Sequence, residues 1–462
     1  MLQKPVNNGW QGYTAGALFT LRCRLCDNDG VSQRLCDCIG RAGGRVGGVV
    51  FVKRLEDYIV QDFTVSVSDK NELERLLDSI KQFKEMKEVI SVRDEILEIH
   101  RRGSIEMVSR VPLKSISDLR MVYTPGVAQV CRRVEDERDS AWEWTGICDR
   151  VAIVTNGTAV LGLGDIGPLP SLPVMEGKAA IFAEFAGISG VPILVDSQDV
   201  RTFIETVVRI SDGFGAIQLE DVSAPSCFEI EQGLTERLDK PVFHDDQHGT
   251  ATVVLAAIIR ALEITGKKAS DCSVVIAGAG AAGYAVSFAL HKYGLGDIVV
   301  YDSAGAIYRG RDEKMNAFKT QLSEITNRDN ISGPLSGGFE GKDIFIGVSR
   351  PNLVGKEAIS SMANGAIVLP LSNPVGEISK EEALEAGARI AADGRDINNA
   401  LAYPGIFRGA LDARAKRITF EMKLAAAKKL AELACGDELL PDMVDKAVHR
   451  QVADAVAKSW HS

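Results

Sequence analysis

Residues 272–302 read CSVVIAGAGAAGYAVSFALHKYGLGDIVVYD, and this stretch decides the fold. A short apolar strand leads into the pattern GxGxxG at Gly278, Gly280 and Gly283, and a helical segment follows at once. A second apolar strand ends in Asp302, 19 residues after the last of these glycines. In Rossmann folds such glycines let the backbone approach a pyrophosphate at the helix N-terminus, and an acidic residue at this spacing binds the adenosine ribose. The stretch therefore predicts an NAD(P)-binding Rossmann domain.

The sequence downstream supports the same α/β fold. Three further apolar segments, KDIFIGVS, AIVLPLS and ARIAADG, follow at a spacing typical of alternating strands and helices. Asp302 favours NAD, because a carboxylate repels the 2′-phosphate of NADP. Arg309 and Arg311 follow closely and could soften this preference. We interpret both arginines as solvated loop charges, with NADP kept as the alternative cofactor.

A second GxGxxG match, at residues 162–167, has a different context. Pro168, Pro170 and Pro173 come soon after it. Proline lacks a backbone N–H and clashes inside a helix, so we expect these residues to obstruct a helix that starts at this turn. The sequence thus predicts that residues 162–167 are not the nucleotide loop.

The chain as a whole has the composition of a soluble globular protein with two or three domains. Its 462 residues are 45% hydrophobic and 25% charged, and the net charge is −10. The negative charge argues against nucleic-acid binding. No apolar run is expected to reach the roughly 20 residues that span a bilayer, and the N-terminus lacks the apolar core of a secretory signal. We therefore expect a cytoplasmic protein that is not attached to a membrane.

Residues 16–98 have a pattern of their own, which precedes a charged linker at 100–104. Alternating and helical segments predict the order βαββαβ, with Asp69 as the N-cap of the second helix. This order is the ferredoxin-like split motif. It resembles an ACT domain, a regulatory module that binds small effectors such as amino acids. The alternative is a small α+β domain that serves only for oligomerisation.

Four acidic residues directly follow predicted strands. Glu220 and Asp221 come after one apolar strand, and Asp245 and Asp246 come after the segment PVFH. Ligand sites of open α/β sheets gather at the carboxyl ends of the strands. Carboxylate oxygens suit Mg²⁺ or Mn²⁺, so three of these four residues could bind one such ion.

Two alternatives remain open at the second acidic pair. His244 and His248 flank the aspartates, and imidazole nitrogens suit zinc. The two histidines would share the face of a continuous helix, but Gly249 and the preceding strand argue against such a helix. Asp246 alone could merely cap the helix that starts near Gly249, although this role leaves the first acidic pair unexplained.

Two further polar residues lie where the fold alone does not require them. Tyr123 precedes the segment TPG, so a turn is expected to present its ring. Lys178 lies in VMEGKAAIFAEFAGI, where most neighbours are apolar or small, and we place it near the start of a buried helix. Desolvation there would lower its pKa toward that of a usable base.

Six motifs between about residue 110 and residue 425 together resemble the malic enzymes, most closely the short bacterial form. In chain order they are YTPGVA, TNGTAVLGLGDIGPLPSLPVMEGKAAIF, LEDVSAP, FHDDQHGT, LSNP and NNALAYPGIFRGA. Members of that family with an ACT-like N-terminal domain exist. The resemblance implies three domains: an ACT-like regulatory domain at 1–100, a substrate and metal domain at 101–248, and a Rossmann domain with C-terminal helices at 249–462.

The resemblance also implies a reaction, the NAD(P)-dependent oxidative decarboxylation of L-malate to pyruvate and CO₂ with Mg²⁺ or Mn²⁺. Lys178 resembles the base that takes the C2 hydroxyl proton as hydride leaves, and Asp245 resembles the carboxylate that partners it. Tyr123 resembles the acid that protonates C3 of enolpyruvate. The remaining implied roles are metal binding by Glu220, Asp221 and Asp246, substrate binding by Asn399, and substrate and cofactor contact by Asn373.

One position departs from the large eukaryotic form, whose arginine for a substrate carboxylate is replaced by Ala159, as in other short forms. One alternative function is a malolactic relative that uses tightly bound NAD. Another is a catalytically inactive nucleotide and effector sensor, against which the presence of Tyr123, Lys178 and the four carboxylates argues. We expect a homodimer or higher homo-oligomer that binds malate and pyruvate, with a small effector at the first domain.

Overall fold

A computed structural model of the chain describes residues 17–160 and 162–461. The chain divides into two compact units, one that ends at Ser104 and one that begins at Ile105. The division falls at the charged HRRGS segment that the sequence marks as a linker. The further boundary near residue 248 stays a prediction.

The first unit has the element order that the sequence predicts. Its elements are β1 (Ala17–Cys26), α1 (Val31–Arg41), β2 (Arg45–Leu55), β3 (Tyr58–Val67), α2 (Lys70–Lys81), β4 (Met86–Asp94) and α3 (Glu95–Ile99). In the described part of this unit the strands form one antiparallel sheet in the order β2-β3-β1-β4. Each βαβ connection is therefore split by a strand of the other, as in ferredoxin-like folds. Asp69 caps α2 by accepting the backbone N–H of Glu72.

The second unit begins with helices and a parallel sheet. Its elements are α4 (Ile116–Val122), α5 (Val127–Asp136), α6 (Ala141–Trp144), β5 (Arg150–Thr155), α7 (Pro168–Ala186), β6 (Ser189–Leu194), α8 (Val200–Ile210), β7 (Ala216–Leu219), α9 (Ser226–Arg237) and β8 (Val242–His244). The sheet order is β6-β5-β7-β8, with every described pair parallel. Because β7 and β8 are neighbours, the residues that follow them meet at one edge of the sheet.

Helix α7 corrects the expectation that prolines obstruct a helix after residues 162–167. It begins at Pro168, and Pro173 lies within it. Proline is favoured in the first turn, where its missing N–H would have no helical partner. The helix also runs for 19 residues, so Lys178 lies in its middle rather than near its start.

A long helix connects the first sheet of the second unit to the elements that follow it in the chain. The turn Asp245–Gly249 is π-helical and continues directly into α10 (Thr250–Thr265). Together they form 21 residues with a mean hydropathy of 1.3, long and apolar enough to cross a membrane by length and composition. The run is longer than expected from the sequence because the aspartates at its start join the helix. However, 67% of its most apolar window is buried inside the protein, as in the core helix of a soluble fold.

The remaining elements build the predicted Rossmann sheet. They are β9 (Ser273–Ala277), α11 (Ala281–Tyr293), β10 (Asp297–Asp302), β11 (Gly305–Ala306), α12 (Ala317–Ile325), β12 (Ile344–Gly347), α13 (Lys356–Ser360), β13 (Ile367–Pro370), α14 (Lys380–Glu385), β14 (Ile390–Ala391), α15 (Tyr403–Asp412), α16 (Phe420–Leu433) and α17 (Lys446–Ser459). The described strands take the order β11-β10-β9-β12-β13-β14, with only β11 antiparallel. The strands predicted at KDIFIGVS, AIVLPLS and ARIAADG are confirmed as β12, β13 and β14.

Candidate active site

Three carboxylates converge at the carboxyl ends of β7 and β8. One ligand oxygen from each of Glu220, Asp221 and Asp246 lies within 4.8 Å of the others, and two of these residues are buried. The backbone N–H of Asp221 also donates to Asp246 Oδ2 at 3.1 Å. Asp221 has a φ of 53°, a left-handed conformation that is uncommon for a residue other than glycine. Such backbone conformations cluster at functional sites.

The chemistry of this cluster fits a hard divalent cation. Burial raises the pKa of Glu220 well above its ordinary value, and the carboxylates of Asp245, Asp246 and Asp221 add to the increase against the opposing effect of Lys178. A cation among these oxygens would offset their repulsion. All the candidate ligands are oxygens, which suits Mg²⁺ or Mn²⁺ better than zinc.

The two histidines of the same segment do not converge on this cluster as a pair. His244 ends β8, is fully buried, and has Nε2 3.4 Å from Asp246 Oδ2. His248 lies in the π-helical turn and contacts Glu231, with 3.0 Å between Nε2 and Oε2. Because the histidines lie on different elements and have different partners, the described geometry does not support a zinc site built from both.

Lys178 lies beside the carboxylates and carries a side chain only 12% exposed. Its ammonium donates a short hydrogen bond to Asp245 Oδ2 and lies 3.2 Å from Glu220 Oε1. Burial alone would lower the pKa of Lys178, but the charges of Asp245 and Glu220 outweigh burial and raise it well above the ordinary value. The prediction that desolvation lowers this pKa is therefore wrong for the arrangement that the structure shows.

Asp245 is the fully buried centre of the polar network. Besides Lys178, it accepts a hydrogen bond from Asn399 Nδ2 at 2.8 Å. Burial raises its pKa, against the opposing effect of the Lys178 charge. Gly249 packs directly against Asp245 Oδ1, so a Cβ at position 249 would overlap that oxygen. Glycine is therefore required at position 249 so that the Asp245 carboxylate can occupy its observed position.

Tyr403 belongs to the same neighbourhood and is not among the site residues predicted from the sequence. The ammonium of Lys178 lies 4.5 Å from the centre of its ring, and the ring packs edge-on against Phe182. Its buried hydroxyl has no hydrogen-bond partner among the described residues. Burial raises the pKa of Tyr403, so the hydroxyl stays protonated. The sequence signal that could have identified Tyr403 is its position in the motif NNALAYPG, four residues after Asn399.

Two predicted site residues are not brought into this network. Tyr123 directly follows α4 and is 67% exposed, and in the described chain its side chain shares no hydrogen bond or ion pair with Lys178. Asn373 follows β13 and is also exposed. Their catalytic and binding roles therefore stay predictions.

The glycine loop has the geometry that a dinucleotide needs. Gly278 has a φ of 115°, and a Cβ on Gly283 would overlap the carbonyl of Gly278, so both positions require glycine. Gly280 precedes α11, and a Cβ there would meet no protein atom within 4 Å. The space in front of the helix N-terminus is therefore open for a phosphate group.

Asp302 ends β10 as predicted, but its carboxylate is already paired. Arg311 donates to it at 2.9 Å and 2.5 Å, and Lys319 donates at 2.6 Å. Burial would raise the pKa of Asp302, but these hydrogen bonds outweigh it and lower the pKa to about 2. Arg311 is only 7% exposed, so its interpretation as a solvated loop charge is wrong. Arg309, by contrast, is exposed and pairs with Glu324.

Comparisons with known proteins match two consecutive regions of the chain to one family. Residues 102–235 match the family described as "Malic enzyme, N-terminal domain", and residues 247–397 match "Malic enzyme, NAD binding domain". The chain is 43% identical to the NAD-dependent malic enzyme of Geobacillus stearothermophilus over 96% of this chain and 95% of that protein. It is 46% identical to the bifunctional malic/malolactic enzyme of Bacillus subtilis, over 80% and 93% of the two chains.

A solved structure shows the same similarity in three dimensions. The NAD-dependent malic enzyme of Thermotoga maritima superposes with a TM-score of 0.76 at 41% identity. The match covers 78% of this chain and 98% of that one. The carboxylate cluster, the buried lysine beside it and the open glycine loop thus occur in a chain that matches both domain models of this family. The chain therefore belongs to the malic enzyme family.

Proposed function

We propose that this protein catalyses the NAD(P)-dependent oxidative decarboxylation of L-malate to pyruvate and CO₂ with Mg²⁺ or Mn²⁺. One observation carries the proposal. A buried lysine contacts Asp245 and lies beside three carboxylates suited to one divalent cation. A base and a metal site at one place are what the removal of a hydroxyl proton and the loss of CO₂ both need.

In this mechanism Lys178 takes the proton of the malate C2 hydroxyl. Asp245 holds the lysine ammonium in position, and Asn399 in turn fixes the Asp245 carboxylate through the hydrogen bond at 2.8 Å. A cation held by Glu220, Asp221 and Asp246 would supply Lewis-acid chemistry at the substrate oxygens. NAD(P) would supply the hydride acceptor. Tyr123 is proposed as the acid that protonates C3, and Asn373 as a residue that contacts substrate and cofactor.

A base must lose its proton before it can act, and in the described arrangement the pKa of Lys178 is raised. The same carboxylates that raise it are those that would share their charge with a cation. A divalent charge near Lys178 would lower this pKa, because like charges disfavour the protonated form. The proposed base and the proposed metal ligands therefore depend on each other.

The charges around Asp302 support the use of either nucleotide. The carboxylate alone would favour NAD, but Arg311 and Lys319 give the three-residue group a net positive charge. A positive group at the end of β10 is compatible with a 2′-phosphate as well as with a ribose hydroxyl. NAD stays the first choice from the fingerprint, and NADP is the alternative that these two cations favour.

The first unit is proposed to be an ACT-like regulatory domain at residues 1–100, followed by a substrate and metal domain at 101–248 and a nucleotide domain at 249–462. The ACT-like assignment is supported by the split βαββαβ order of the strands and helices in the first unit. The ligand would be a small effector. The alternative, a domain used only for oligomerisation, has the same fold. We further propose a cytoplasmic location.

The protein is also proposed to be a homodimer or a higher homo-oligomer. Several large apolar side chains of the segment 107–123 are exposed, among them Met107 at 94%, Val108 at 71% and Met121 at 64%. Exposed apolar groups at this density are typical of surfaces that another chain covers. An assembly that buries this segment would also cover Tyr123.

A second candidate is a malolactic reaction, in which the hydride returns to the substrate carbon and lactate is the product. It is favoured by the 46% identity to a relative whose name includes both malic and malolactic activity. The test is an initial-rate assay with malate and Mn²⁺, run with NAD and NADP in parallel. Stoichiometric NADH or NADPH with pyruvate supports the oxidative reaction. Lactate without net cofactor reduction would support the malolactic one, and no product from either would refute both.

A further inference from the structure

A small cavity lies between α10, α11 and α16 in the second unit. Its volume is about 170 Å³. Among the residues that line it are His248, Leu255, Phe288, Lys292, Phe420 and Lys423. Two lysines and one histidine face this space, whereas none of its described lining residues is an aspartate or glutamate. The remaining walls are mainly aromatic and aliphatic, so the cavity combines a cationic side with an apolar side.

Neither lysine of the cavity has its charge paired with a carboxylate in the described part of the chain. Lys423 Nζ lies 3.1 Å from His248 Nδ1, and Lys292 Nζ lies 5.1 Å from the centre of the Phe420 ring. Burial, opposed in part by the charge of Glu231, lowers the pKa of Lys423 to about 8. Lys292 is exposed and Lys423 is half-buried, so an anion would mainly offset the cost of removing the Lys423 ammonium from water without a carboxylate partner.

The nearby carboxylates are held by other donors. Glu231 accepts from His248 Nε2 at 3.0 Å, from Gln247 Nε2 at 3.1 Å and from the backbone N–H of His244 at 2.9 Å. Glu421, on the same helix as Lys423, is exposed, and its pKa is lowered first by hydrogen bonds from its own backbone and from Thr419 and then by the charges of Lys292 and Lys423. Neither carboxylate is among the described residues that line the cavity, so its two ammonium groups lack an anionic acceptor there.

We propose that this cavity binds a small carboxylate with a short hydrocarbon body. The carboxylate would accept hydrogen bonds from the ammonium groups of Lys423 and Lys292. The hydrocarbon part would pack against Leu255, Phe288 and Phe420, where it would be removed from water. Small-molecule pockets usually exceed about 300 Å³, so a space of this size selects a compact ligand with no more than one small ring or a short chain beyond the carboxylate.

Occupation of the cavity would be sensed by the segment Asp245–Gly249; this second part rests on the proposed function. His248 lies in that π-helical turn and joins Lys423 to Glu231. A ligand that draws the Lys423 ammonium toward itself would weaken the contact with His248 Nδ1. The turn also carries Asp245 and Asp246, so a shift in it would alter the site for the divalent cation. Binding at the two places would then be coupled, and the coupling would be reciprocal.

The binding test is calorimetry of the full-length protein with benzoate, run without malate so that its result does not depend on turnover. Benzoate is expected to bind at one site, and Lys423→Met and Lys292→Gln should each raise its Kd at least fivefold. Ala289→Leu, which fills the cavity without removing a charge, should abolish binding. Lys428→Met is the matched control, because Lys428 is an exposed residue of the same helix.

Two results would overturn the proposal for the cavity. One is benzoate binding that is equal in the wild type and in the well-folded Ala289→Leu variant, because the ligand would then lie elsewhere. The other is inorganic phosphate binding as tightly as benzoate, because the hydrocarbon part would then contribute nothing. Should Lys423→Met fail to fold, the Ala289→Leu and Lys292→Gln variants still decide the question.

The coupling is tested separately by titrating Mn²⁺ with and without saturating benzoate. We expect the Mn²⁺ Kd to change at least threefold in the wild type and to be constant in Ala289→Leu. Unchanged Mn²⁺ affinity in the wild type would refute the coupling while the cavity site stands. Absence of any Mn²⁺ binding would instead refute the metal site of the proposed function, an outcome that benzoate binding does not share.

Discussion

Lys178 and Asp245 are 67 residues apart in the sequence, yet the ammonium of the first donates directly to the carboxylate of the second. The lysine comes from the middle of α7 and the aspartate from the turn that follows β8. Two separate elements must pack correctly before this contact can form. The contact therefore reports both the fold and the state of the site, and two of the predictions below depend on it.

Replacing the lysine tests its role as the base. We expect Lys178→Met to lower kcat with malate by about 10²–10⁴-fold, the range typical of a lost general base. NAD(P) binding, measured by quenching of tryptophan fluorescence, should be unchanged because the glycine loop lies on other elements. Lys446→Met is the control, since this exposed lysine also contacts α7 through Glu184. Full malate oxidation by Lys178→Met would show that another group is the base.

Removing one carboxylate tests the metal site. Asp246→Asn should weaken Mn²⁺ binding at least about tenfold, as measured by electron paramagnetic resonance of the free ion. The physical reason is the loss of one of three charged oxygens that lie within 4.8 Å of one another. Glu229→Gln removes an exposed charge of α9 and should leave the affinity unaltered. Equal Mn²⁺ affinity in the two variants would place the ion elsewhere.

Adding one methyl group at Gly249 tests the close packing against Asp245. The new Cβ of Gly249→Ala would overlap Asp245 Oδ1, so the carboxylate must leave the position in which it meets Lys178. We expect kcat to fall at least tenfold, with a loss of about 1–3 kcal/mol in stability from overpacking. Gly213→Ala is the control, because a Cβ there meets no atom within 4 Å. Wild-type kcat in Gly249→Ala would mean that the exact place of Asp245 does not matter.

A charge change near Asp302 tests nucleotide choice. Lys319→Met leaves Asp302 paired with Arg311 alone, which removes the net positive charge of the group. We expect kcat/KM with NADP to fall about tenfold more than kcat/KM with NAD, a difference near 1.4 kcal/mol. Arg309→Met should have no such effect, since Arg309 is exposed and pairs with Glu324. A parallel decrease for both nucleotides would show that Lys319 does not distinguish them.

The same carboxylate predicts a dependence of stability on pH. Hydrogen bonds from Arg311 and Lys319 outweigh burial and lower the folded-state pKa of Asp302 to about 2, below its value in the unfolded chain. The ionised carboxylate therefore stabilises the fold by about 2 kcal/mol above pH 4, and this contribution is lost as pH falls from about 4 to about 2. Urea unfolding should show that the deficit of Asp302→Asn shrinks across this window. A deficit that is constant from pH 7 to pH 3 and below would contradict the assignment.

Much of the fold could be predicted from the sequence because its patterns are local. The glycine loop, the strand that ends at Asp302 and the βαββαβ order all follow from spacing within a few tens of residues. The prolines after residue 167 misled the prediction because proline is unfavourable inside a helix but favourable in its first turn. The position of the first turn could not be known from the residues alone.

The site was predictable where residues follow strands and less so where partners come from distant elements. Glu220, Asp221 and Asp246 were found because strand ends are adjacent in a parallel sheet. Glu231, Lys423 and the pairing of Asp302 with Arg311 and Lys319 were missed, since nothing in their own segments indicates a partner. The direction of the pKa shift of Lys178 was wrong for the same reason: the lysine's desolvation is visible in its apolar neighbours, but its two carboxylate partners are not.

The turn Asp245–Gly249 has a consequence for heat inactivation. Many enzymes place their reacting groups on loops that loosen well before the protein unfolds. Here two of the acidic residues stand at the start of a buried helix that runs to Thr265 through the centre of the second unit. The part of the site that these two residues form cannot unfold while that helix stays packed. On warming, the loss of activity and the collapse of the core should therefore occur as one event, so that a stabilised core would directly extend the working temperature of the enzyme.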